Sequence, residues 1–304
     1  MNQEPFYSIN QYNRKVYGEK VYKISLNGGM TCPNRDGTLG TKGCIFCSKG
    51  GSGDFAASAV LSISEQIEEA IERISRKYTG NSYIAYFQAF TNTYAPISHL
   101  EKIFTEAIMD SRISGLAIAT RPDCLEPDKI ELLSKLNQIK PVTIELGLQT
   151  TNENTARYIN RGYTLDVFDD ACHRLKEAGI PVVAHMIVGL PGETHDDYMA
   201  TAKHIAKLKL NGIKIQLLHV LRDTDLATEY NEGKFEALSL IEYVSTVVDI
   251  IEILPPEMVV HRITGDGPKD LLISPLWSTN KKNVLNSIMK EFRNRNTYQG
   301  KEYR

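Results

Sequence analysis

Cys32, Cys44 and Cys47 stand in one glycine-rich stretch, with eleven residues between the first pair and two between the second. Two thiolates that close in sequence reach one metal centre, because the turn between them brings both sulfurs together. Structural zinc normally takes four protein ligands, and no histidine precedes His99. A [4Fe–4S] cluster held by only three cysteines is the competing chemistry, since one iron keeps an open position for an exchangeable ligand and thiolates suit such a cluster. The local pattern leaves cluster, zinc and unrelated thiols open. Cys124 and Cys172 lack a partner motif and read as plain buried or helix-face thiols, so no second cluster is expected.

Seven short segments read as strands and must position these thiols: 21–26, 82–90, 115–120, 142–149, 181–188, 214–220 and 258–263. Most are nearly continuous apolar runs, as expected of strands covered on both faces. Helical patterns lie between them over 64–78, 98–109, 128–136, 166–178, 194–208 and 238–253. Ser64, with Glu65 in the first turn, is expected to cap the first of these, and Gly179 before Pro181 stops the helix that precedes the fifth strand. Regular β-then-α alternation implies a parallel sheet, either open or rolled into a barrel. The long step from the first strand to the second holds the cysteine loop, 27–59, and a loop of that length inside a compact domain is usually functional or disordered. Leaving a first strand, it sits at the C-terminal end of the sheet, where this architecture places its chemistry.

The chain has 304 residues, 42% hydrophobic and 24% charged, which sets aside disorder, collagen-like repeats and disulfide scaffolds. A net charge of -2 makes the whole molecule no obvious polyanion binder. The distribution is uneven, because Lys281, Lys282, Lys290, Arg293, Arg295, Lys301 and Arg304 face only Glu291 and Glu302 in the last segment. No apolar run has the length of a signal peptide or membrane span, and five unevenly placed cysteines argue against a disulfide framework, so a cytoplasmic protein is expected.

In the stretches 25–47 (SLNGGMTCPNRDGTLGTKGCIFC), 86–96 (YFQAFTNTYAP), 115–124 (GLAIATRPDC), 145–150 (ELGLQT), 185–194 (HMIVGLPGET) and 261–268 (HRITGDGP), the sequence resembles the radical S-adenosylmethionine (SAM) superfamily. More narrowly it resembles the Elp3-like branch with the bacterial YhcC/YtqA-type proteins. The resemblance runs over roughly 12–275. The long first cysteine gap departs from the commoner C-x3-C-x2-C and fits this branch. It implies an α/β fold, a partial (β/α)6 TIM-like barrel of parallel strands with a C-terminal helical extension: a core with N-terminal segment over 1–265 and a basic extension over 266–304. It also implies a [4Fe–4S] cluster on Cys32, Cys44 and Cys47 at the open C-terminal rim. SAM would chelate the fourth iron, and one electron would cleave it to a 5′-deoxyadenosyl radical inside a lumen that excludes water.

The resemblance directs attention to polar residues at the strand ends. Gln88, Thr91 and Asn92 end the second strand, where the superfamily presents polar groups to the SAM amino group. Thr120, Arg121 and Asp123 follow the third; Arg121 is placed to neutralise a carboxylate and Asp123 to accept from a ribose hydroxyl. Glu145 and Gln149 alternate with Leu146 and Leu148, so both face one side with Gly147, and a charge there needs the partners a cofactor-filled lumen supplies. Gly189 lies in the turn after the fifth strand, in the stretch resembling the one that packs on the adenine. His185, His219 and His261 read as core histidines with hydrogen-bonded partners. Arg222 and Asp223 are candidate substrate residues, and Arg262, Gly265, Asp266 and Gly267 a candidate turn near the rim.

The expected activity is radical SAM modification of tRNA at a wobble-uridine side chain, from carboxymethylaminomethyl to aminomethyl, and the substrate rests on the resemblance. The implied partners are tRNA and a reductant such as flavodoxin or ferredoxin, with no membrane. The basic helix over 283–294 and its flanking cations are candidate phosphate contacts. Only residues 266–304 follow the core, so no acetyltransferase domain is expected. Two alternatives stay open: the same chemistry on a small metabolite or protein side chain, and a zinc-stabilised nucleic-acid-binding module without catalysis.

Overall fold

Residues alternate in kind along each central strand. In VTIELGLQ, Ile144, Leu146 and Leu148 point to one face and Glu145, Gly147 and Gln149 to the other. Ala85 and Phe87 oppose Tyr86 and Gln88, and Ile213 and Ile215 oppose Lys214 and Gln216. The apolar set joins one core with the helices, while the polar set lines a cavity. A sheet with two such faces must be covered on one side and curl around something polar on the other.

The computed structural model describes residues 4–51, 57–75, 78, 80–265 and 267–304. Helix α1 (Ile9–Tyr17) precedes β1 (Tyr22–Leu26). Then come α2 (Ile63–Ser75), β2 (Tyr83–Phe87), α3 (Ile97–Met109), β3 (Ile113–Thr120), α4 (Pro127–Asn137), β4 (Val142–Gln149), α5 (Glu153–Tyr158), α6 (Leu165–Glu177), β5 (Val182–Val188), α7 (His195–Lys207) and β6 (Gly212–Leu217). The chain closes with β7 (Val220–Leu221), α8 (Asp225–Asn231), α9 (Leu240–Glu252), β8 (Val259–Arg262), β9 (Leu272–Ser274) and α10 (Lys281–Arg295). Seven strands form one parallel sheet in the order β1-β2-β3-β4-β5-β6-β8, a curled half-barrel whose end strands do not pair. All seven expected strands are there, and the α/β partial-barrel fold is as expected.

Several local features differ from the sequence reading. Ser62, not Ser64, caps α2: its hydroxyl accepts from the Glu65 amide at 3.3 Å while Glu65 accepts from the Ser62 amide at 2.7 Å. The three-residue offset of a capping box requires that pair, and Ser64 bonds Glu106 instead. Helices α1, α5 and α8 and the antiparallel pair β7–β9 were not expected. Residues 76 and 77 of the expected first helix, residues 52–56 of the cysteine loop, and Asp266 lie outside the described residues.

The open side of the half-barrel is closed at its base by the chain's first segment. The Val260 amide donates to the Tyr7 carbonyl at 2.8 Å, Ser8 bridges to Val260 in parallel, and a Ser8–Gln11 capping box starts α1 over this seam. Gln299 locks it, accepting from the Tyr7 amide and donating to the carbonyls of Pro255 and Met258. The segment expected as an extension packs into the same body, since Val284, Ile288 and Phe292 of α10 belong to the main core. Among the described residues no helix is long and apolar enough to cross a membrane.

The two faces of the sheet carry different penalties. Leu146→Ala should destabilise by about 2–5 kcal/mol through the cavity it leaves, whereas Gln216→Ala on the concave face should change stability by less than about 1 kcal/mol. Urea unfolding of both variants checks the assignment of faces.

Candidate active site

The cavity enclosed by the half-barrel measures about 610 Å³ and runs from the C-terminal rim of the sheet to the base under α1. Its rim is the cysteine loop, which contains neither helix nor strand among its described residues and is held by side chains instead. Gln66 of α2, 1% exposed, both donates to the Asn27 carbonyl and accepts from the Asn27 amide, fixing the point where the loop leaves β1. Asn34 donates to the carbonyls of Asn160 and Arg161, and Asn160 donates back to the Gly43 carbonyl at 2.7 Å. Arg35 spans the loop to the carbonyls of Cys47 and Ser48. The turn expected between the paired thiols is present, with the Cys47 amide donating to the Cys44 carbonyl at 3.0 Å.

Cys32, Cys44 and Cys47 all line the cavity. The neighbouring Cys47 and burial together push the Cys44 thiol up, so a bound metal must supply the positive charge that holds its thiolate. Among the described residues no three His, Cys, Asp or Glu side chains converge closely enough to coordinate a single metal ion. A four-iron cluster takes each thiolate on a different iron, so three soft donors on one wall fit it. Cys124 and Cys172 are buried, and burial pushes each thiol up to about 12.

The rim gathers Gln88 and Thr91 after β2, Thr120 and Arg121 after β3, and Gln149 at the end of β4. Thr120 is set by a 2.6 Å hydroxyl contact with Thr93. Arg121 is gripped by Asp123 through two hydrogen bonds of 2.9 and 2.7 Å and donates to the Arg161 carbonyl. Gln149 sits at a bulge with φ of 67°, which aims it back over Gly147, where a Cβ would lie 2.7 Å from the Gln149 amide nitrogen. Three candidates lie off the cavity wall: Asp123, which acts on Arg121; Asn92, which ties β2 to the Ala119 carbonyl; and Gly189, whose φ of 100° shapes the turn after β5 against Leu238 and Leu218.

Glu145 lies four residues before Gln149 on the same strand, deeper in the cavity. Its two oxygens accept from Lys23 at 2.5 Å, from Lys214, and from His185 at 3.0 Å. Burial works against its charge, but the two ammonium groups outweigh it and hold Glu145 well below the carboxylate range. Burial, reinforced by Lys214, pushes His185 down to about 4. His219 and Arg262 also line the cavity, and a Cβ at Gly265 or Gly267 would crowd the His219 ring. Arg222 and Asp223 line a separate hollow beside α8, because β7 turns toward β9 and the Arg222 amide bonds the Leu271 carbonyl.

Sequence reading missed Lys23, Tyr86, Lys214, Asn34, Arg35, Arg161 and Tyr163. The first three carried a usable signal, a polar residue at alternate positions of an apolar strand. Arg161 carried none. It is 1% exposed, donates to the carbonyls of Leu148, Thr150 and Tyr163, pairs with Glu153, and with Arg121 flanks the Tyr163 ring at 4.8 and 4.9 Å.

The family model described as Radical SAM superfamily matches residues 32–205, and that described as Radical_SAM C-terminal domain matches 210–294. The chain is 47% identical over 296 residues to the Bacillus subtilis protein YtqA, covering 97% of this chain and 92% of that one. It is 35% identical over 266 residues to Escherichia coli K12 protein YhcC, covering 87% and 85%. Among solved structures it resembles in fold the archaeal Methanocaldococcus infernus Elp3, at TM-score 0.70 and 18% identity over 92% of this chain and 64% of that chain.

Serine at Cys32, Cys44 or Cys47 should each abolish iron and sulfide uptake on anaerobic reconstitution, with serine at Cys172 leaving both intact. Full iron content in a Cys44→Ser protein would refute the ligand set. Glu145→Ala strands two ammonium groups at a buried site and should cost about 3–5 kcal/mol. Gln149→Ala should leave urea unfolding nearly unchanged and weaken SAM binding in equilibrium dialysis.

Proposed function

This chain belongs to the radical SAM superfamily, and from that premise we propose that it modifies tRNA at the wobble uridine, converting a carboxymethylaminomethyl side chain to aminomethyl: the bond from nitrogen to the carboxymethyl carbon breaks, water enters to release the two carbons as an oxoacid, and SAM is the acceptor of the two electrons. The observation that carries the reading is one cavity joining three thiols at its rim to a cationic floor inside the barrel. A [4Fe–4S] cluster and SAM, the cofactors that superfamily membership brings, supply one-electron cleavage of SAM and hydrogen-atom abstraction when bound.

The chain's own residues do the rest. Cys32, Cys44 and Cys47 would hold the cluster through their thiolates. Gln88, Thr91, Thr120 and Gln149 present hydrogen-bonding groups to SAM at the rim. Arg121 meets its carboxylate, kept in place by Asp123 and by the Arg161 carbonyl. Gly189 shapes the turn that receives the adenine. The concave walls surround the lumen, so that bound SAM and substrate would displace its water. A volume of about 610 Å³ admits a base turned out of an RNA loop, and seven lysines and arginines against one carboxylate among the described lining residues favour an anionic substrate.

The basic end of the chain supports RNA binding less broadly than its composition implies. Lys282, Lys290 and Arg293 are exposed on α10. Arg295 turns inward to Asp249, Glu291 and Ser245, so it is withdrawn from the candidate phosphate contacts. The electron comes from a reductant such as flavodoxin or ferredoxin, and a tRNA substrate places the protein in the cytoplasm.

Nucleoside mass spectrometry of tRNA from a strain lacking the gene tests the reading. The carboxymethylaminomethyl nucleoside should accumulate and the aminomethyl one disappear, with restoration by the wild-type gene and not by Cys44→Ser; unchanged nucleosides would refute it. Reversing Lys282, Lys290 and Arg293 should lower tRNA affinity and make the log–log salt slope shallower by about 0.7–0.9 per lost phosphate contact.

A further inference from the structure

Among the described residues, the floor of the cavity carries more positive charge than its own carboxylate balances. At the rim, Arg121 and Arg161 are each met by a carboxylate from outside the cavity wall, Asp123 and Glu153. At the floor, Lys23 and Lys214 share the one carboxylate of Glu145. The Glu145 side chain is 0% exposed and that of Lys214 5%, and charge left uncompensated this far from water is costly. The cost registers on Lys214: burial pushes it down to about 7, against the pull of Glu145 and with the push of Lys23 and Arg262. Glu145, facing two ammonium groups, keeps its charge; each lysine, facing half a carboxylate, lacks a partner's worth.

The two ammonium groups are also aimed together. Lys23 and Lys214 lie 4.9 and 4.6 Å from the centroid of the Tyr86 ring, and Lys214 donates to the Tyr86 hydroxyl at 3.2 Å. Lys23 and Lys214 line the cavity, and the Lys23 side chain keeps 30% exposure. They form a paired cationic seat inside the lumen, on the strands below the rim residues Gln88, Thr120 and Gln149.

We propose that Lys23 and Lys214, held side by side by Glu145 and Tyr86, bind an aliphatic carboxylate at the end of the substrate's side chain. The proposal rests on the tRNA reading above, in which the uridine side chain ends in such a group. The position selects carboxylate over phosphate, because the seat lies on the inward wall of the strands below their ends, where a slender side chain carried on a base reaches and a bulky polynucleotide backbone does not. Once seated, the carboxylate brings the cluster of Lys23, Lys214 and Glu145 to two cations against two anions. Glu145 is a positioning residue: its oxygens are taken up by Lys23, Lys214 and His185, and its part is to fix where the ammonium groups point.

The test uses the cluster-loaded enzyme with SAM and an anticodon stem-loop RNA whose wobble uridine carries either the carboxymethylaminomethyl group or its carboxamide. Binding is read by fluorescence anisotropy, and turnover by nucleoside analysis. The carboxylate RNA should bind about tenfold more tightly than the carboxamide, a difference of about 1.4 kcal/mol. That ratio should shrink to about twofold in Lys23→Gln and in Lys214→Met/Glu145→Gln, which removes opposite charges together and leaves the net charge of the floor unchanged. If the double variant does not fold, Lys23→Gln at its part-exposed position decides alone. Equal binding of the two RNAs, or a ratio that survives the substitutions, overturns the carboxylate seat, and conversion of the RNA under that result leaves the tRNA reading standing. A lysine-dependent ratio without conversion keeps the seat and overturns the proposed reaction. Failure of both RNAs to bind overturns both.

Discussion

The structure depends on one constraint: each strand of the parallel sheet must satisfy two different environments at a spacing of one residue. The outward set, Ile24, Phe87, Ile118, Leu146, Met186 and Ile215 among it, is buried under helices and belongs to a single apolar core. The inward set holds Lys23, Glu145, His185 and Lys214. Because the side-chain period is two, a one-residue slip in any strand would drive a charge into the helix layer and an aliphatic group into the lumen. The polar lumen therefore fixes the register of the sheet as well as supplying the site. Glu145 is central to that, since β1, β4, β5 and β6 each send a side chain into its network.

A polar interior also explains how a long loop without regular structure keeps its shape. A stretch such as 27–51 has no ladder to satisfy its backbone, so its carbonyls and amides must find side chains. Gln66, Asn34, Arg35 and Asn160 perform that task, and two of them come from elements distant in sequence. Arg161 extends the arrangement inward, tying the end of β4 to the segment that grips the loop. The thiols are thus placed by hydrogen bonds to the scaffold, and the loop's position at the C-terminal rim follows from the strand it leaves.

The same logic sets what was legible in the sequence. Strand identity and order could be read because apolar runs, helix stops and the β-then-α rhythm are local signals. The three thiols could be read because their spacing is itself the chemistry. Glu145 and Gln149 were found by their period of two, yet grouped together, although the strand rise separates them into floor and rim. Lys23, Tyr86 and Lys214 show the same period in their own strands, but their meeting at Glu145 depends on the sheet curling, which no single strand reveals. Arg161 and Asn34 pair across more than a hundred residues, and no local pattern encodes that. Arg295 shows the opposite error: composition counted it among the surface cations, while its position four residues after Glu291 and against α9 turned it inward.

Charge shows most clearly why whole-chain quantities mislead here. A net charge of -2 gives no hint of an anionic ligand, yet the described lining of the cavity has seven basic side chains and one acidic. The acids are spent elsewhere, many on exposed helix faces where solvent and salt weaken their field. The cations are gathered on a concave, low-dielectric wall that focuses theirs. Within the cavity the balance divides again, because Arg121 and Arg161 at the rim have their own carboxylates and Lys23 and Lys214 share one. An anion entering past the thiols therefore finds, at Lys23 and Lys214, two ammonium groups with one carboxylate between them.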